Sequence, residues 1–93
     1  MWEDEEKHLG VLEPKTKLKF SYKYLGDKKI IMVKALCQKC TEVRLKNNEI
    51  LTIFKVENKP EHLKHVPVFV SKEIEVTFVD GTKDTLKFKG VMR

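Results

Sequence analysis

The chain contains little of what disulfide-rich proteins, membrane proteins and enzymes need. Its two cysteines are too few for a disulfide framework, so we expect thiols in a reducing compartment, with a Cys37–Cys40 disulfide as an alternative. No apolar run approaches the ~18 residues that a membrane span requires. A glycine-rich phosphate loop, a Ser/His/Asp arrangement and paired carboxylates in apolar surroundings are also missing. We therefore expect neither an enzyme nor a cofactor, a small-molecule substrate or a membrane partner.

Arginine is scarce, although the net charge is +5. Lysines make up 17 of the 19 basic residues, and Arg44 and Arg93 are the only arginines. Base-specific contacts and bidentate phosphate clamps depend on the guanidinium group, whereas lysine offers a point charge. The lysine excess therefore favours solubility or weak attraction to anionic surfaces over sequence-specific recognition.

The composition predicts one soluble domain. A 41% hydrophobic share supports a core, and 35% charged residues suit a solvated surface. Residues 1–7 form an acidic arm, and a single domain is expected over residues 8–93. The acidic start is the opposite of the basic start of a secretory signal. We therefore expect a cytoplasmic location, or a virion assembled in the host cytoplasm.

One segment alternates strictly between apolar and polar residues, which is typical of a strand with one buried and one solvated face. Its apolar members are Leu18, Phe20, Tyr22 and Tyr24. Lys29–Leu36 is more continuously apolar, as expected of a central strand covered on both sides. The polar segment Thr41–Asn48 ends in Asn47-Asn48, a turn signal.

Further strands are predicted on either side of this region. They are His8–Leu12, Ile50–Val56, Val66–Val70, Ile74–Val79 and Thr85–Met92, of which the third and fourth are either two adjacent strands or one bent strand. Leu51 and Ile53 share one face of their strand, and Leu86 and Phe88 point inward from the last one. Asp80-Gly81 is the strongest hairpin signal. Six or seven short strands, with turns about every 8–12 residues, predict an all-β sandwich.

Several motifs together resemble an immunoglobulin-like bacterial and phage family of unknown function, related to hydin-type (ASH) domains. They are His8-Leu-Gly10, Leu25-Gly-Asp27, the Cys37-x-x-Cys40-Thr41 segment and Leu86-Lys-Phe-Lys-Gly-Val91. The family hallmark is Ser-Cys-Gly-Cys-Thr, and the present pair has two intervening residues instead of one. The resemblance implies an immunoglobulin-like β-sandwich of about seven strands with a binding or structural role.

The Cys37-x-x-Cys40 pair is also a candidate half of a zinc site. His62 and His65 could supply the other half, because two histidines three residues apart can share one face of a helical turn. The alternative is a structural pair of cysteines with histidines in a solvated loop, and we favour this second interpretation. A redox pair would need a helix N-terminus to lower a thiol pKa, which a strand followed by a loop does not supply.

Lysines on two predicted strands are a candidate basic surface. These are Lys17, Lys19 and Lys23 on the alternating strand, and Lys83, Lys87 and Lys89 on the last strand. On one common face they would form a stripe that meets phosphates or an acidic partner. The alternative is protection of strand edges, and we favour this second interpretation. The aromatic residues considered, Phe20, Tyr22, Tyr24, Phe78 and Phe88, are in phase with the core, so no exposed aromatic is expected to stack on bases.

The acidic arm carries the only tryptophan. Trp2 either folds back as a cap, docks on a neighbouring subunit or is disordered. We expect the docking role, with the arm mobile in the free domain and its acidic residues facing a basic partner. These residues are Glu3, Asp4, Glu5 and Glu6.

The sequence thus predicts a non-enzymatic module that works by surface contact with protein partners. The preferred role is a structural subunit of a larger assembly, such as an auxiliary or decoration protein of a phage virion. The alternatives are a lysine-mediated binder of nucleic acid or acidic protein, with weak binding of nucleic acid, and a zinc-stabilised Cys2His2 module.

Overall fold

Seven strands, arranged in two packed sheets, account for most of the 93 residues that the computed structural model describes. The strands are β1 (Glu6–Val11), β2 (Lys17–Lys23), β3 (Ile30–Ala35), β4 (Thr41–Lys46), β5 (Glu49–Lys55), β6 (Val68–Phe78) and β7 (Lys83–Met92). A single 3₁₀ turn at Glu61–Leu63 is the only helical element. No helix has the length and apolar character of a membrane span.

The topology is that of an immunoglobulin-like β-sandwich, as predicted. The four-stranded sheet has the order β1-β7-β6-β3, and the three-stranded sheet has the order β2-β5-β4. All neighbouring pairs are antiparallel except β1 and β7, which run parallel. Apart from β1, which joins the sheet of β7, this division of strands matches the BED and CFG sheets of immunoglobulin-like domains.

The alternation in β2 places its apolar residues between the sheets. Tyr22 is fully buried, while Leu18 and Phe20 are half-buried against the core. On the neighbouring strand β5 of the same sheet the buried residues are Ile50, Thr52 and Phe54, so Leu51 and Ile53 lie on the outer face. The core therefore forms where the inward rows of the two sheets meet.

The Tyr22 hydroxyl fastens one sheet to the other. It donates a hydrogen bond of 2.6 Å to the backbone carbonyl of Lys87 on β7. Burial raises the pKa of Tyr22 above its usual value, since the phenolate would lose its hydration there. The phenol therefore remains a neutral donor that specifies how β2 lies over β7.

The Asp80-Gly81 hairpin forms as predicted. Gly81 has a φ of 87°, a left-handed conformation that glycine adopts without strain. Asp80 accepts hydrogen bonds of 2.6 and 3.0 Å from the hydroxyl and backbone N–H of Thr82, and these lower the pKa of Asp80 to about 2. The turn joins β7 to a continuous β6, which runs through the Ser71–Glu73 segment without a break.

The prediction that Lys29–Leu36 forms a central strand was wrong. β3 pairs only with β6 and forms one edge of the four-stranded sheet. Ile31 and Met32 on β3, and Leu36 just after its end, are 54–56% exposed. The strand is therefore not covered on both sides. The polar segment before Asn47 also forms a strand, β4, which the sequence analysis did not assign.

Candidate interaction surfaces

The predicted lysine stripe is divided between two opposite surfaces of the molecule. Lys17, Lys19 and Lys23 lie on β2, in the three-stranded sheet, whereas Lys87 and Lys89 lie on β7, in the four-stranded sheet. The outer faces of two packed sheets point in opposite directions. The two strands therefore do not form the single stripe that was the less favoured interpretation of these lysines, and the two faces are separate surfaces.

The outer face of the three-stranded sheet, which we call the basic face, collects positive charge from all three of its strands. Its basic residues are Lys17, Lys19 and Lys23 on β2, Arg44 and Lys46 on β4, and Lys55 on β5. Glu42 and Glu49 are the only acidic residues in the same rows. This leaves four net positive charges on one sheet surface, compared with a net charge of +5 for the chain.

The charges of the basic face are mostly unneutralised within the domain. Its only ion pair joins Lys55 to Glu42, with 3.3 Å between the charged atoms. The three β2 lysines and both basic residues of β4 are exposed and form no ion pair. Their charges are therefore available to an external anion.

An apolar centre lies within this ring of charge. Leu51 is 39% exposed and lies in register between Ser21 and Arg44. Ile53, the next outward residue of β5, is half-buried and lies between Lys19 and Glu42. The basic face therefore combines an apolar contact area with a charged rim, which is the common arrangement of protein-binding surfaces.

The outer face of the four-stranded sheet differs, because acidic partners neutralise two of its four lysines. Lys89 contacts Glu6 at 2.6 Å, and Lys83 contacts Glu75 at 3.3 Å. The hydrogen bond and charge of Lys89 lower the pKa of Glu6. Phe69 on this face is 84% exposed, which corrects the expectation that no aromatic residue is accessible.

The arm folds back onto its own domain, which contradicts the prediction of a mobile docking segment. Trp2 is only 8% exposed, its ring lies 5.0 Å from that of Tyr24, and its Nε1 donates to Asp84 at 2.9 Å. Backbone hydrogen bonds from Glu3 to Lys23 and from Leu25 to Met1 hold the segment along the end of β2. Burial of the indole offsets the entropy cost of ordering the arm.

Three of the four acidic residues of the arm form ion pairs within the domain. Glu6 and Lys7 belong to β1, so that strand begins inside the segment assigned to the arm. Glu6 pairs with Lys89, Asp4 with Lys7 at 3.6 Å, and Glu5 with the N-terminal amine at 3.9 Å. Glu3 is exposed and forms no ion pair. Since Trp2 is buried, the segment has no free aromatic anchor for a partner.

The cysteines and histidines do not come together as a metal site. Cys37 and Cys40 form a disulfide, with 5.8 Å between their Cα atoms, so the expectation of free thiols was wrong. No group of three or more histidine, cysteine or acidic residues is arranged to hold a metal ion. His62 lies in the exposed 3₁₀ turn, and His65 lies two residues beyond its end.

A cavity of about 220 Å³ opens between the sheets beside the disulfide. Phe54, Val70 and Met92 contribute apolar surface. Lys72, at an inward position of β6, also lines the cavity. Neither the cavity nor Lys72 was singled out by sequence analysis. The available signal was the alternation Val68, Val70, Lys72, Ile74, in which one lysine replaces an apolar residue.

No protein-family model, curated protein or solved structure matches this chain. The resemblance to the immunoglobulin-like bacterial and phage family stays a prediction that rests on the motifs themselves. The function is therefore inferred from the geometry of the surfaces described above.

Proposed function

We propose that this chain is a non-enzymatic interaction module that binds an acidic protein surface through the basic face. The observation that carries the proposal is the concentration of charge: six basic and two acidic residues on one sheet surface, with a single internal ion pair. Complementary charge speeds association and orients partners, and it disfavours partners of like charge.

Three features favour a protein over a nucleic acid as the partner. The centre of the basic face is aliphatic, with Leu51 and Ile53 offering apolar contact rather than a ring for base stacking. The one exposed phenylalanine, Phe69, lies on the other sheet. Arg44 is the only guanidinium on the basic face, whereas base recognition relies heavily on arginine.

Membership of a larger assembly, such as a phage virion, is one setting in which this face would act. In that setting the contact would come from the sheet surface, because Trp2 is used inside the domain. The partner would then contact the charged rim and the aliphatic centre of the basic face instead of a tryptophan anchor.

Charge reversal on the basic face is expected to weaken binding of an acidic peptide that carries leucines among its glutamates. The Lys19→Glu/Arg44→Glu double variant should lose at least about tenfold in affinity at low salt, because both contacts become repulsive. Fluorescence anisotropy of the labelled peptide measures this, and moderate salt should weaken wild-type binding because exposed charges are screened.

The matched control is the Lys29→Glu/Lys34→Glu variant. It changes the net charge by the same amount, but it alters exposed lysines outside the basic face. It should retain wild-type affinity within about threefold, since screening limits distant charges. Equal losses in both variants would show attraction to net charge alone. Tighter binding of a single-stranded oligothymidylate than of the peptide would make nucleic acid the better partner.

A further inference from the structure

Lys72 lies in the inward row of β6, whose neighbouring members are apolar. The inward row of β6 includes Val70, Lys72, Ile74 and Val76, and the last two are fully buried. Lys72 is paired in register with Phe88 on β7, whose side chain is 1% exposed and faces the same core. The lysine side chain therefore leaves the sheet on its core side.

The amine of Lys72 has no partner within the protein. It forms neither an ion pair nor a hydrogen bond, whereas Lys83 and Lys89 on the outer face of the same sheet are both paired. Glu57 also lines the cavity, but it is exposed and makes no ion pair with Lys72. Lys55, at the same opening, is already bound to Glu42. A half-buried lysine without a partner in the protein is thus left in the lining of the cavity.

The buried part of the cavity wall is apolar, whereas the exposed residues Glu57, Asn58 and Pro60 also line the cavity. Phe54, Val56 and Met92 are 3–7% exposed and form its inner part together with the buried Cys40 and the half-buried Val70. The volume of about 220 Å³ is smaller than the ~300–1,000 Å³ that drug-sized ligands occupy. Apolar walls with one charged group at a fixed point are the usual composition of a small-molecule site.

We infer that this cavity binds a compact amphipathic anion, with its carboxylate paired to Lys72 and its short hydrocarbon body against Phe54, Val70 and Met92. A bound carboxylate supplies the partner that the ammonium lacks, and a charge-assisted hydrogen bond is stronger than a neutral one. The hydrocarbon body fills the apolar space and is removed from water. Both parts of the ligand are needed, because Lys72 supplies the positive charge without a protein partner and the buried lining residues are apolar.

Titration with hexanoate and with neutral 1-hexanol, followed by amide chemical shifts under non-reducing conditions, tests this inference. Hexanoate should bind wild-type protein saturably, with the largest shifts at Val56, Val70 and Lys72. Lys72→Met keeps the length of the side chain and removes the charge. The variant should bind hexanoate with at least fivefold lower affinity than the wild type. Its affinity for hexanol should stay within about twofold of the wild-type value, since the apolar walls are unchanged.

Lys34→Met is the control, because it removes one exposed positive charge from β3 outside the cavity. It should bind both probes as the wild type does. The inference is overturned if wild-type protein shows no saturable hexanoate shifts, if Lys72→Met binds hexanoate undiminished, or if Lys34→Met loses as much affinity as Lys72→Met. It is also overturned if the shifts map to the basic face instead of the cavity.

Discussion

Replacing Phe88 with alanine is expected to lower the free energy of unfolding by about 3–5 kcal/mol, near the top of the range for core truncations. Phe88 is 1% exposed, and its ring lies 5.1 Å from Phe20 and 5.0 Å from Phe54. These two partners belong to the opposite sheet, so the alanine variant would leave a cavity where the two inward rows meet. Urea denaturation followed by circular dichroism measures the change.

Phe69→Ala is the matched control, because it makes the same chemical change on the neighbouring strand. Phe69 is 84% exposed, so this variant should change stability by less than about 0.5 kcal/mol. A comparable loss in both variants would contradict the assigned register of β6 and β7. A shift of one residue would exchange the two faces of a strand.

Trp2→Ala is expected to destabilise the free domain by about 3–5 kcal/mol, the range for removing a large buried aromatic side chain. The variant removes the contact with Tyr24 and the hydrogen bond to Asp84. As Trp2 is the only tryptophan, its fluorescence should be blue-shifted in the wild-type protein and resist quenching by iodide. Thermal melting of both proteins and a quenching titration measure these effects.

Trp2→Phe separates the ring from its hydrogen bond. It keeps an aromatic side chain beside Tyr24 but loses the donor to Asp84, and this hydrogen bond to a charged group contributes about 1.5–3 kcal/mol. The phenylalanine variant should therefore be more stable than the alanine variant. Red-shifted, readily quenched emission from the wild-type protein, together with an unchanged melting temperature for Trp2→Ala, would support a mobile arm instead.

The parts of the fold that could be predicted were those determined by local pattern. The alternation around Tyr22 identified β2, and Asp80-Gly81 identified the hairpin to β7. Both signals act over a few residues: side-chain period in the first case and turn geometry in the second. The inward positions of Leu86 and Phe88 were also predicted correctly.

The errors concern strands whose character depends on their neighbours. β3 has apolar residues on both faces, which is typical of a covered strand, but the topology leaves it at an edge with Ile31 and Met32 exposed. β4 is largely polar because its outer face contributes to the basic face. β5 was assigned correctly, and Leu51 and Ile53 share one face as expected. Its inward row contains Thr52, so hydrophobicity alone did not show which of the two rows faces the core.

The candidate surfaces were only partly predictable for the same reason. The lysines of β2 were identified as an exposed row, but the sequence does not show that Arg44 and Lys46 lie beside them while Lys87 lies on the opposite sheet. Which strands share a sheet is a property of the topology. The cap formed by Trp2 likewise depends on a contact with Asp84, 82 residues away in the chain.

Chemical-shift mapping with the leucine-containing acidic peptide tests the central claim most directly. The amide shifts are expected to concentrate on the outward positions of the three-stranded sheet, around Lys19, Arg44 and Leu51. They should diminish as salt is raised, because salt screens exposed charges. Shifts centred instead on the outer face of the four-stranded sheet, around Phe69, would contradict this claim. So would a peptide that leaves the basic face unperturbed at low salt.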